Sequence, residues 1–163
     1  LVNSAGTGGV DDADKLSEAL WDKVLAINLK GSVRMAQAVG RTMLNHGGGK
    51  IINMGSQAGV VALDRHLAYG ASKAGIIYAT KQLALEWAQH NINVNCISPT
   101  IILTPMGEET WNNPAGEAFK QRIPARRFGY PEEVAAAAVF LASDAASLFN
   151  GANLVMDGGF TIG

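Results

Sequence analysis

Four short apolar segments alternate along this chain with longer stretches of helical periodicity, and no hairpin turn joins any two of them. They are residues 1–3, 50–56, 91–98 and 152–156. Strands that are separated by helices pair in parallel, and the helices then cover both faces of the sheet. The order β-αα-β-α-β-α-β therefore predicts a single α/β domain over residues 1–163.

Three stretches carry the helical pattern. Residues 16–44 are typical of a short helix followed by a long one, and residues 67–89 and 131–143 predict two further helices. The segment 104–123 is mixed and contains Pro and Gly residues. We expect it to form a mobile helical lid over a substrate instead of part of the core.

The composition excludes several classes of protein. The chain has 163 residues, of which 48% are hydrophobic and 17% charged, and its net charge is −1. It has no block of Lys and Arg, so neither nucleic acid nor an anionic membrane is an expected partner. The single cysteine and the scattered histidines predict no disulfide framework and no metal site. No apolar run approaches the ~20 residues of a membrane span, and we expect a cytoplasmic protein.

Tyr69 and Lys73 lie four residues apart in the helix predicted over 67–89. That spacing places both side chains on one face, about 6 Å apart along the axis. Because a nearby ammonium favours phenolate, Lys73 should lower the pKa of Tyr69 from its usual value of about 10. Tyr69 is then a candidate acid and base near neutral pH. The alternative is a tyrosine packed on the core beside a lysine that reaches solvent.

Two further polar residues could belong with this pair. Ser56 ends the second strand, and its hydroxyl could polarise a carbonyl oxygen beside Tyr69; the alternative is a serine that caps a turn. Asn28 lies inside a predicted helix, where its amide competes for backbone hydrogen bonds. It marks either a simple helix junction or a distortion that holds a water near Lys73, as a proton relay requires.

Polar or glycine-rich turns follow three of the predicted strands, at residues 3–6, 56–57 and 98–100. The carboxyl ends of parallel strands meet at one edge of the sheet, where ligands of such folds bind. The segment Gly6–Gly8 matches only the first half of a Gly-x-Gly-x-x-Gly phosphate loop, because Asp11 holds the last glycine position. A simple tight turn and a seat for a flat ligand are both open interpretations of this first strand end.

Cys96 and His66 receive structural interpretations. Cys96 belongs to the third strand and is expected to pack in the sheet, as buried free cysteines usually do. His66 is expected to cap or line the loop before the next helix, because nothing beside it in the sequence would orient it as a base.

Taken together, these residues resemble the short-chain dehydrogenase/reductase family over essentially the whole chain. Asn28, Ser56, Tyr69 and Lys73 match its catalytic tetrad in type, order and spacing. Further segments resemble family motifs: Asn3-Ser4-Ala5-Gly6, Pro99 with Thr104, Arg127 to Val134, and Asp157-Gly158-Gly159. One position departs from the pattern, because Thr100 replaces the glycine that usually follows Pro99.

The resemblance implies a Rossmann-like doubly wound sheet and an NAD(P)-dependent oxidoreductase that interconverts a secondary alcohol and its ketone. Tyr69 would be the acid and base, and Lys73 would lower its pKa and hold the nicotinamide ribose. Ser56 would bond the substrate oxygen, and Asn28 would hold a water. The implied cofactor is NAD or NADP, with NAD favoured. The residues implied to bind it are Asn3, Ala5, Gly6, Tyr69, Lys73, Pro99, Thr100, Ile102 and Thr104.

The family's amino-terminal phosphate loop, and the residue that selects between NAD and NADP, have no counterpart in these 163 residues. The resemblance implies that the chain holds strands 4 to 7 of the family's sheet and lacks the amino-terminal half. We therefore expect the chain on its own to bind cofactor poorly.

Within the family the chain looks most like sugar-alcohol (polyol) dehydrogenases. The substrate would contact Ser56, Gln57 and Tyr69, with Gln57 bonding a neighbouring hydroxyl. One alternative is a 3-oxoacyl-carrier-protein reductase, which needs an open groove and a basic docking patch; Arg126 and Arg127 offer only a weak one. Another is a truncated Rossmann-like domain that binds without catalysis. The family also implies homo-tetramers or homo-dimers.

Overall fold

The computed structural model describes residues 1–163, with every side chain except that of Met106. Its strands and helices, in chain order, are β1 (Val2–Asn3), α1 (Glu18–Leu25), α2 (Ser32–Asn45), β2 (Gly49–Met54), α3 (Leu67–Trp87), β3 (Ile92–Pro99), α4 (Pro105–Trp111), α5 (Pro114–Lys120), α6 (Pro131–Ala142) and β4 (Asn153–Met156). A π-helical segment, Ala26–Gly31, joins α1 to α2. Short 3₁₀ turns cover Gln57–Gly59, Ala88–His90, Asp144–Ala146 and Phe160–Ile162.

The four strands form one parallel sheet in the order β1-β2-β3-β4. The predicted α/β fold and its element order are therefore confirmed. One row of the register crosses the whole sheet and pairs Asn3 with Asn53, Asn53 with Cys96, and Cys96 with Asn153. The Asn3 amide donates to the Asn53 side-chain oxygen at 2.8 Å, so this polar row helps to fix where the strands end. Cys96 packs in the sheet as expected.

Helices cover the two faces of the sheet unequally. On one face α2 and α3 pack on Ile51, Ile92 and Val94. On the other face α6 packs on Ile52 and Ile97, which alternate with the first set along their strands. The sheet is thus sandwiched between helices, and its carboxyl edge, where the polar turns begin, stays uncovered by either cluster.

The helix boundaries differ from the sequence prediction in two places. The stretch predicted as one short and one long helix is nearly continuous, and the π-helical segment at Asn28 marks the change from α1 to α2. The predicted lid, 104–123, contains two separate helices. Thr104 caps α4 and Asn113 caps α5, and each helix has proline in its first turn.

The start of α6 is fixed by Glu133. Its carboxylate accepts from the Tyr130 backbone N–H at 2.9 Å and from both terminal nitrogens of Arg127, at 2.7 and 2.8 Å. The hydrogen bonds from Arg127 and Tyr130 lower the pKa of Glu133 from 4.5 to about 2. The carboxylate form therefore stabilises this helix start.

We predict that Glu133→Gln lowers the thermal midpoint of unfolding at pH 7. Because the folded-state pKa is depressed, the stabilisation is present above pH 4.5 and is lost as the pH falls toward 2. The difference between variant and wild type should shrink over that range. Glu132→Gln, which removes the same charge from the same helical turn, is the control. An equal, pH-independent loss in both variants would contradict the prediction.

Candidate active site

The turn after β2 brings Ser56 against α3. Ser56 has extended backbone, is buried, and accepts a hydrogen bond at its hydroxyl oxygen from the Ala58 backbone N–H at 3.2 Å. The 3₁₀ turn Gln57–Gly59 then runs directly over the backbone of α3. A Cβ on Gly59 would lie 2.7 Å from the carbonyl carbon of Lys73, and one on Gly70 would lie 2.9 Å from the Ala58 oxygen. Only glycine allows the two backbones to come this close.

Tyr69 and Lys73 share one face of α3, as their spacing predicts. The Lys73 ammonium lies 5.6 Å from the centroid of the Tyr69 ring. Lys73 is only 6% exposed, and its Nζ donates to the Met54 carbonyl oxygen at 2.8 Å. The alternative of a lysine that reaches solvent is therefore wrong, because the ammonium is anchored to the end of β2.

The predicted direction of the Tyr69 pKa is wrong. Burial raises the pKa of Tyr69 above 10, and the nearby Ser56 hydroxyl opposes this rise. Burial also lowers the pKa of Lys73. Burial therefore opposes both the phenolate form of Tyr69 and the ammonium form of Lys73.

Asn28 occupies the π-helical segment that joins α1 to α2, so it lies at a helix junction that is also a distortion, and its role in holding a water stays a prediction. Its side-chain oxygen accepts from the Thr7 backbone N–H at 2.8 Å, and its amide nitrogen donates to the Thr7 carbonyl at 2.9 Å. The same nitrogen donates to the Ser72 hydroxyl at 3.1 Å, and Ser72 donates to the Tyr69 carbonyl at 2.7 Å. Asn28 thus joins the loop after β1 to the first turn of α3.

The loop after β1 carries three of the predicted cofactor-binding residues. Asn3 is buried, and its amide donates to the Ser32 carbonyl and to Asn53, so it holds the strand end. Ala5 and Gly6 are exposed. A Cβ on Gly6 would lie 3.4 Å from the Asn28 side-chain oxygen and 3.8 Å from the Lys73 ammonium. Because Gly6 has no side chain, a space stays open between its backbone and the side-chain ends of Asn28 and Lys73. We call this space the cradle.

The loop after β3 carries the other predicted cofactor-binding residues, starting at Pro99. Thr100 donates its backbone N–H to the Met156 carbonyl at 3.0 Å, whereas its buried hydroxyl oxygen has no partner among the described residues. Ile102 forms a parallel bridge with Gly129. The Thr104 hydroxyl caps α4 by accepting from the Gly107 N–H at 3.1 Å, so this side chain is occupied by a local bond.

Gln57 carries a second buried oxygen without a hydrogen-bond partner among the described residues, and we call this oxygen and that of Thr100 the orphaned oxygens. It is 3% exposed, and its side-chain Oε1 accepts no hydrogen bond within the part of the chain that the structure describes. A buried acceptor without a donor costs about 1–3 kcal/mol. Gln57 and Thr100 follow adjacent parallel strands, so both unmet acceptors belong to the same edge of the sheet as Tyr69.

Three features of the site escaped the sequence prediction. Ser72 and the carbonyl of Met54 fix Tyr69 and Lys73, and the Thr7 backbone fixes Asn28. Only Ser72 is a side chain and is thus visible in the sequence; it is fully buried on α3, as are the polar residues Lys73 and Thr80. The other two are backbone groups, which carry no residue-specific signature.

His66 lines the loop, as expected. Its ring is nevertheless held in a fixed orientation by neighbouring groups, which the sequence did not predict. Its Nδ1 lies 2.5 Å from the Asp64 carbonyl oxygen, and its ring meets the Tyr69 ring edge-on at 6.0 Å. It also lines a cavity of about 790 Å³ between the loop 58–67 and residues 11–14. Across the described residues, no cluster of His, Cys, Asp or Glu could hold a metal, and none of the helices is long and apolar enough to cross a membrane.

Comparison with known proteins shows which family the chain belongs to. Residues 1–161 match a family model described as enoyl-(acyl carrier protein) reductase. The chain is 60% identical to an NAD-dependent glycerol dehydrogenase of Listeria innocua and 57% identical to a D-threitol dehydrogenase of Mycolicibacterium smegmatis. Each match covers 99% of the chain, which spans 64% and 62% of the length of these two relatives.

A solved structure has the same fold. It is described as a putative 2-deoxy-D-gluconate 3-dehydrogenase from Agrobacterium tumefaciens with bound NADP, and it shares 40% identity and a TM-score of 0.95. The match covers 100% of this chain and 67% of that one. The Rossmann-like fold expected from the sequence is therefore confirmed.

We predict that Gly59→Ala in the complete protein lowers both stability and activity. Its Cβ would press on the backbone of Lys73 and Ala74, which cannot turn aside as a side chain can, at a cost of about 1–3 kcal/mol. Denaturant unfolding and initial rates are the measurements. Gly8→Ala is the control for unfolding, because a Cβ there would meet no described atom within 4 Å. Equal stability of both variants would contradict this packing constraint.

Proposed function

The chain belongs to the short-chain dehydrogenase/reductase family, and from that premise we propose that the complete protein interconverts a polyol and its ketone by hydride transfer with NAD or NADP. The observation that carries the proposal is the junction of β2 with α3. There Ser56 lies beside the phenol of Tyr69, and the buried ammonium of Lys73 lies 5.6 Å from the phenol ring. A donor, an acid/base and a fixed cation are the groups that a carbonyl–alcohol interconversion needs.

In this proposal Tyr69 moves the proton. In the oxidative direction its phenolate takes the hydroxyl proton of the alcohol, and in the reductive direction the phenol returns it. The Ser56 hydroxyl donates to the substrate oxygen and stabilises it as its charge changes. Lys73 supplies positive charge on the side of the ring, which favours the phenolate.

The residues present fit a nicotinamide cofactor. Gly6 leaves an open cradle above Asn28 and Lys73, in which ribose hydroxyls could meet the ammonium. The orphaned hydroxyl of Thr100 could meet an amide group on the other side. When bound, the oxidised cofactor would supply the hydride acceptor.

Asn28 is proposed to serve as the inner end of the proton relay. The π-helical segment holds its side chain between Thr7 and Ser72, close to the cradle above Lys73. A water bound there could exchange protons between the Lys73 ammonium and solvent. The rigid fixation of Asn28 supports this role, because a relay requires constant geometry.

NAD is proposed as the preferred cofactor. The glycerol dehydrogenase relative is NAD-dependent, whereas the less similar solved structure contains NADP. Side-by-side titration of the complete protein with the two cofactors tests this choice directly.

A polyol is favoured as the substrate for two reasons. The two relatives compared above act on glycerol and on D-threitol. Gln57 adds a physical reason, because its buried, unpartnered oxygen can accept a hydrogen bond from a second hydroxyl beside the one being oxidised.

The alternative function, reduction of a substrate carried by an acyl carrier protein, is less well supported. It needs a basic docking patch, for which this chain offers only Arg126 and Arg127. Arg127 is engaged by the Glu133 carboxylate through two hydrogen bonds, and Arg126 bonds the Gln121 carbonyl. Pairing with Glu133 reduces the positive charge that Arg127 contributes to this weak basic patch, which makes the patch less favourable for an acidic carrier.

The proposed assembly is a homo-tetramer or homo-dimer in the cytoplasm. Large apolar side chains lie exposed on the helices, among them Met35 on α2 and Tyr78 and Leu85 on α3. A second copy could cover them by pairing helices across a two-fold axis. The buried, unpaired Cys96 agrees with a reducing compartment.

We predict that Tyr69→Phe in the complete protein lowers turnover by about 10³-fold or more while the Kd for cofactor stays unchanged. The variant keeps the ring but loses the group that exchanges the proton, and such groups contribute about 10²–10⁴. Initial rates and cofactor fluorescence titration check the two halves. Tyr78→Phe, an exposed tyrosine on the same helix, is the control. Wild-type turnover in Tyr69→Phe would sink the assignment.

We also predict that Gln57→Leu lowers kcat/KM for a polyol about tenfold while a monohydric secondary alcohol is much less affected, because one hydrogen bond to the second hydroxyl is lost. The ligand-free variant should unfold at a higher temperature, since the orphaned oxygen is removed. Gln82→Leu, an exposed change on α3, is the control. An equal loss for both alcohols would show that Gln57 does not read the second hydroxyl.

A further inference from the structure

The turn after β4, residues 157–162, packs against the predicted lid. The ring of Phe160 stacks on the ring of Phe119 in α5, with centroids 5.2 Å apart and an interplanar angle of 14°. The Arg122 guanidinium covers both rings, at 5.3 Å from the Phe119 centroid and 5.4 Å from that of Phe160. Stacking and cation–π contacts thus tie this turn to the second lid helix.

The contact continues into the first lid helix. Trp111, at the end of α4, lies 5.4 Å from Phe119 and 6.1 Å from Phe128. Phe128 is almost completely buried and forms the floor of this aromatic cluster, which consists of Trp111, Phe119, Phe128 and Phe160. A Cβ on Gly116 would overlap the Trp111 carbonyl, so α5 sits directly on the end of α4. The two lid helices are therefore coupled to each other and to Phe160.

The 157–162 turn is itself well fixed. The Asp157 carboxylate accepts from the backbone N–H groups of Gly159 and Thr161, at 2.9 and 2.7 Å. Gly158 and Gly159 have φ values of +62° and +90°, which favour glycine. The Gly158 carbonyl accepts from the Ala125 N–H at 3.0 Å. Phe160 is thus presented to the lid from a rigid support.

The same turn faces the loop at the other end of the lid. Thr100 donates to the carbonyl of Met156, the residue just before the turn. Thr100 and Ile102 line one side of a cavity of about 300 Å³, and Asp157, Gly158 and Gly159 line the other. Met156, just before the turn, therefore bonds to the loop that leads into the lid, and the turn lines a cavity together with that loop.

We propose that Phe160 is a positioning residue that holds α4 and α5, and through them the loop 99–104, in the arrangement that binds cofactor and substrate. The inference rests on the proposed function, because that loop is the proposed cofactor site. Losing the Phe160 ring would remove the stacked partner of Phe119 and one ring under Arg122. Within the aromatic cluster, the lid helices would then be held by Phe128 alone. The fraction of molecules ready to bind would fall, and KM would rise by the same factor.

Phe160→Ala in the complete protein tests this. We expect KM for cofactor and for alcohol to rise roughly three- to thirtyfold, which corresponds to loss of a stacked pair with its cation–π partner, while kcat stays within about twofold. Limited proteolysis should cut the segment 104–113 faster, and saturating cofactor should restore protection. Phe160→Tyr should behave as wild type, because it keeps the ring.

The control is Ile162→Ala, which changes the same 3₁₀ turn at a side chain that is 90% exposed. Arg122→Gln removes only the exposed cation and should raise KM in the same direction by a smaller factor, so it decides the matter if Phe160→Ala fails to fold. Unchanged KM and proteolysis in Phe160→Ala, or equal effects in Ile162→Ala, overturn the proposal. So does unchanged KM in Arg122→Gln when Phe160→Ala is unfolded. Absence of any dehydrogenase activity in the wild-type complete protein would instead refute the proposed function.

Discussion

The close contact between the Gln57–Gly59 turn and the backbone of α3 sets the geometry of the whole site. Glycine at 59 and at 70 lets the two backbones approach to a distance that any Cβ would prevent. Ser56 lies between β2 and this turn, and Tyr69 and Lys73 lie on α3. Backbone packing therefore determines the distance from Ser56 to the other two residues, and flexible side chains do not. The bond from Lys73 to the Met54 carbonyl closes the same junction from the other side. Catalytic groups need such fixed placement, because small displacements of reacting atoms cost large factors in rate.

Burial at this junction opposes the ionised forms of Tyr69 and Lys73. It raises the pKa of Tyr69 and lowers the pKa of Lys73. The Lys73 ammonium donates one hydrogen bond to the Met54 backbone carbonyl. This bond positions the ammonium, but the carbonyl is neutral and does not balance its charge. At a buried position a neutral phenol has a lower free energy than a phenolate that lacks a compensating cation.

The sequence predicts the features that rest on pattern and misses those that rest on backbone contacts. The parallel sheet follows from alternation without hairpins, and the distortion at Asn28 follows from an amide in a helix interior. The face shared by Tyr69 and Lys73 follows from their spacing. By contrast, the Met54 carbonyl and the Thr7 backbone have no residue-specific signature, and the direction of the Tyr69 pKa depends on burial that only the packed chain reveals. The sequence contains enough information to predict the helix caps at Thr104 and Asn113, because each of them precedes a proline in the first turn of a helix.

The two orphaned oxygens bear on what the site is built to bind. Gln57 Oε1 and Thr100 Oγ1 follow neighbouring strands and lie buried without a donor among the described residues. Each unmet acceptor costs about 1–3 kcal/mol, a large share of the 5–15 kcal/mol by which a domain is stable. A ligand that brings hydroxyl or amide donors recovers this cost on binding, whereas an acyl chain brings none to the same positions. The two oxygens therefore support the proposed polyol and nicotinamide cofactor over an apolar substrate.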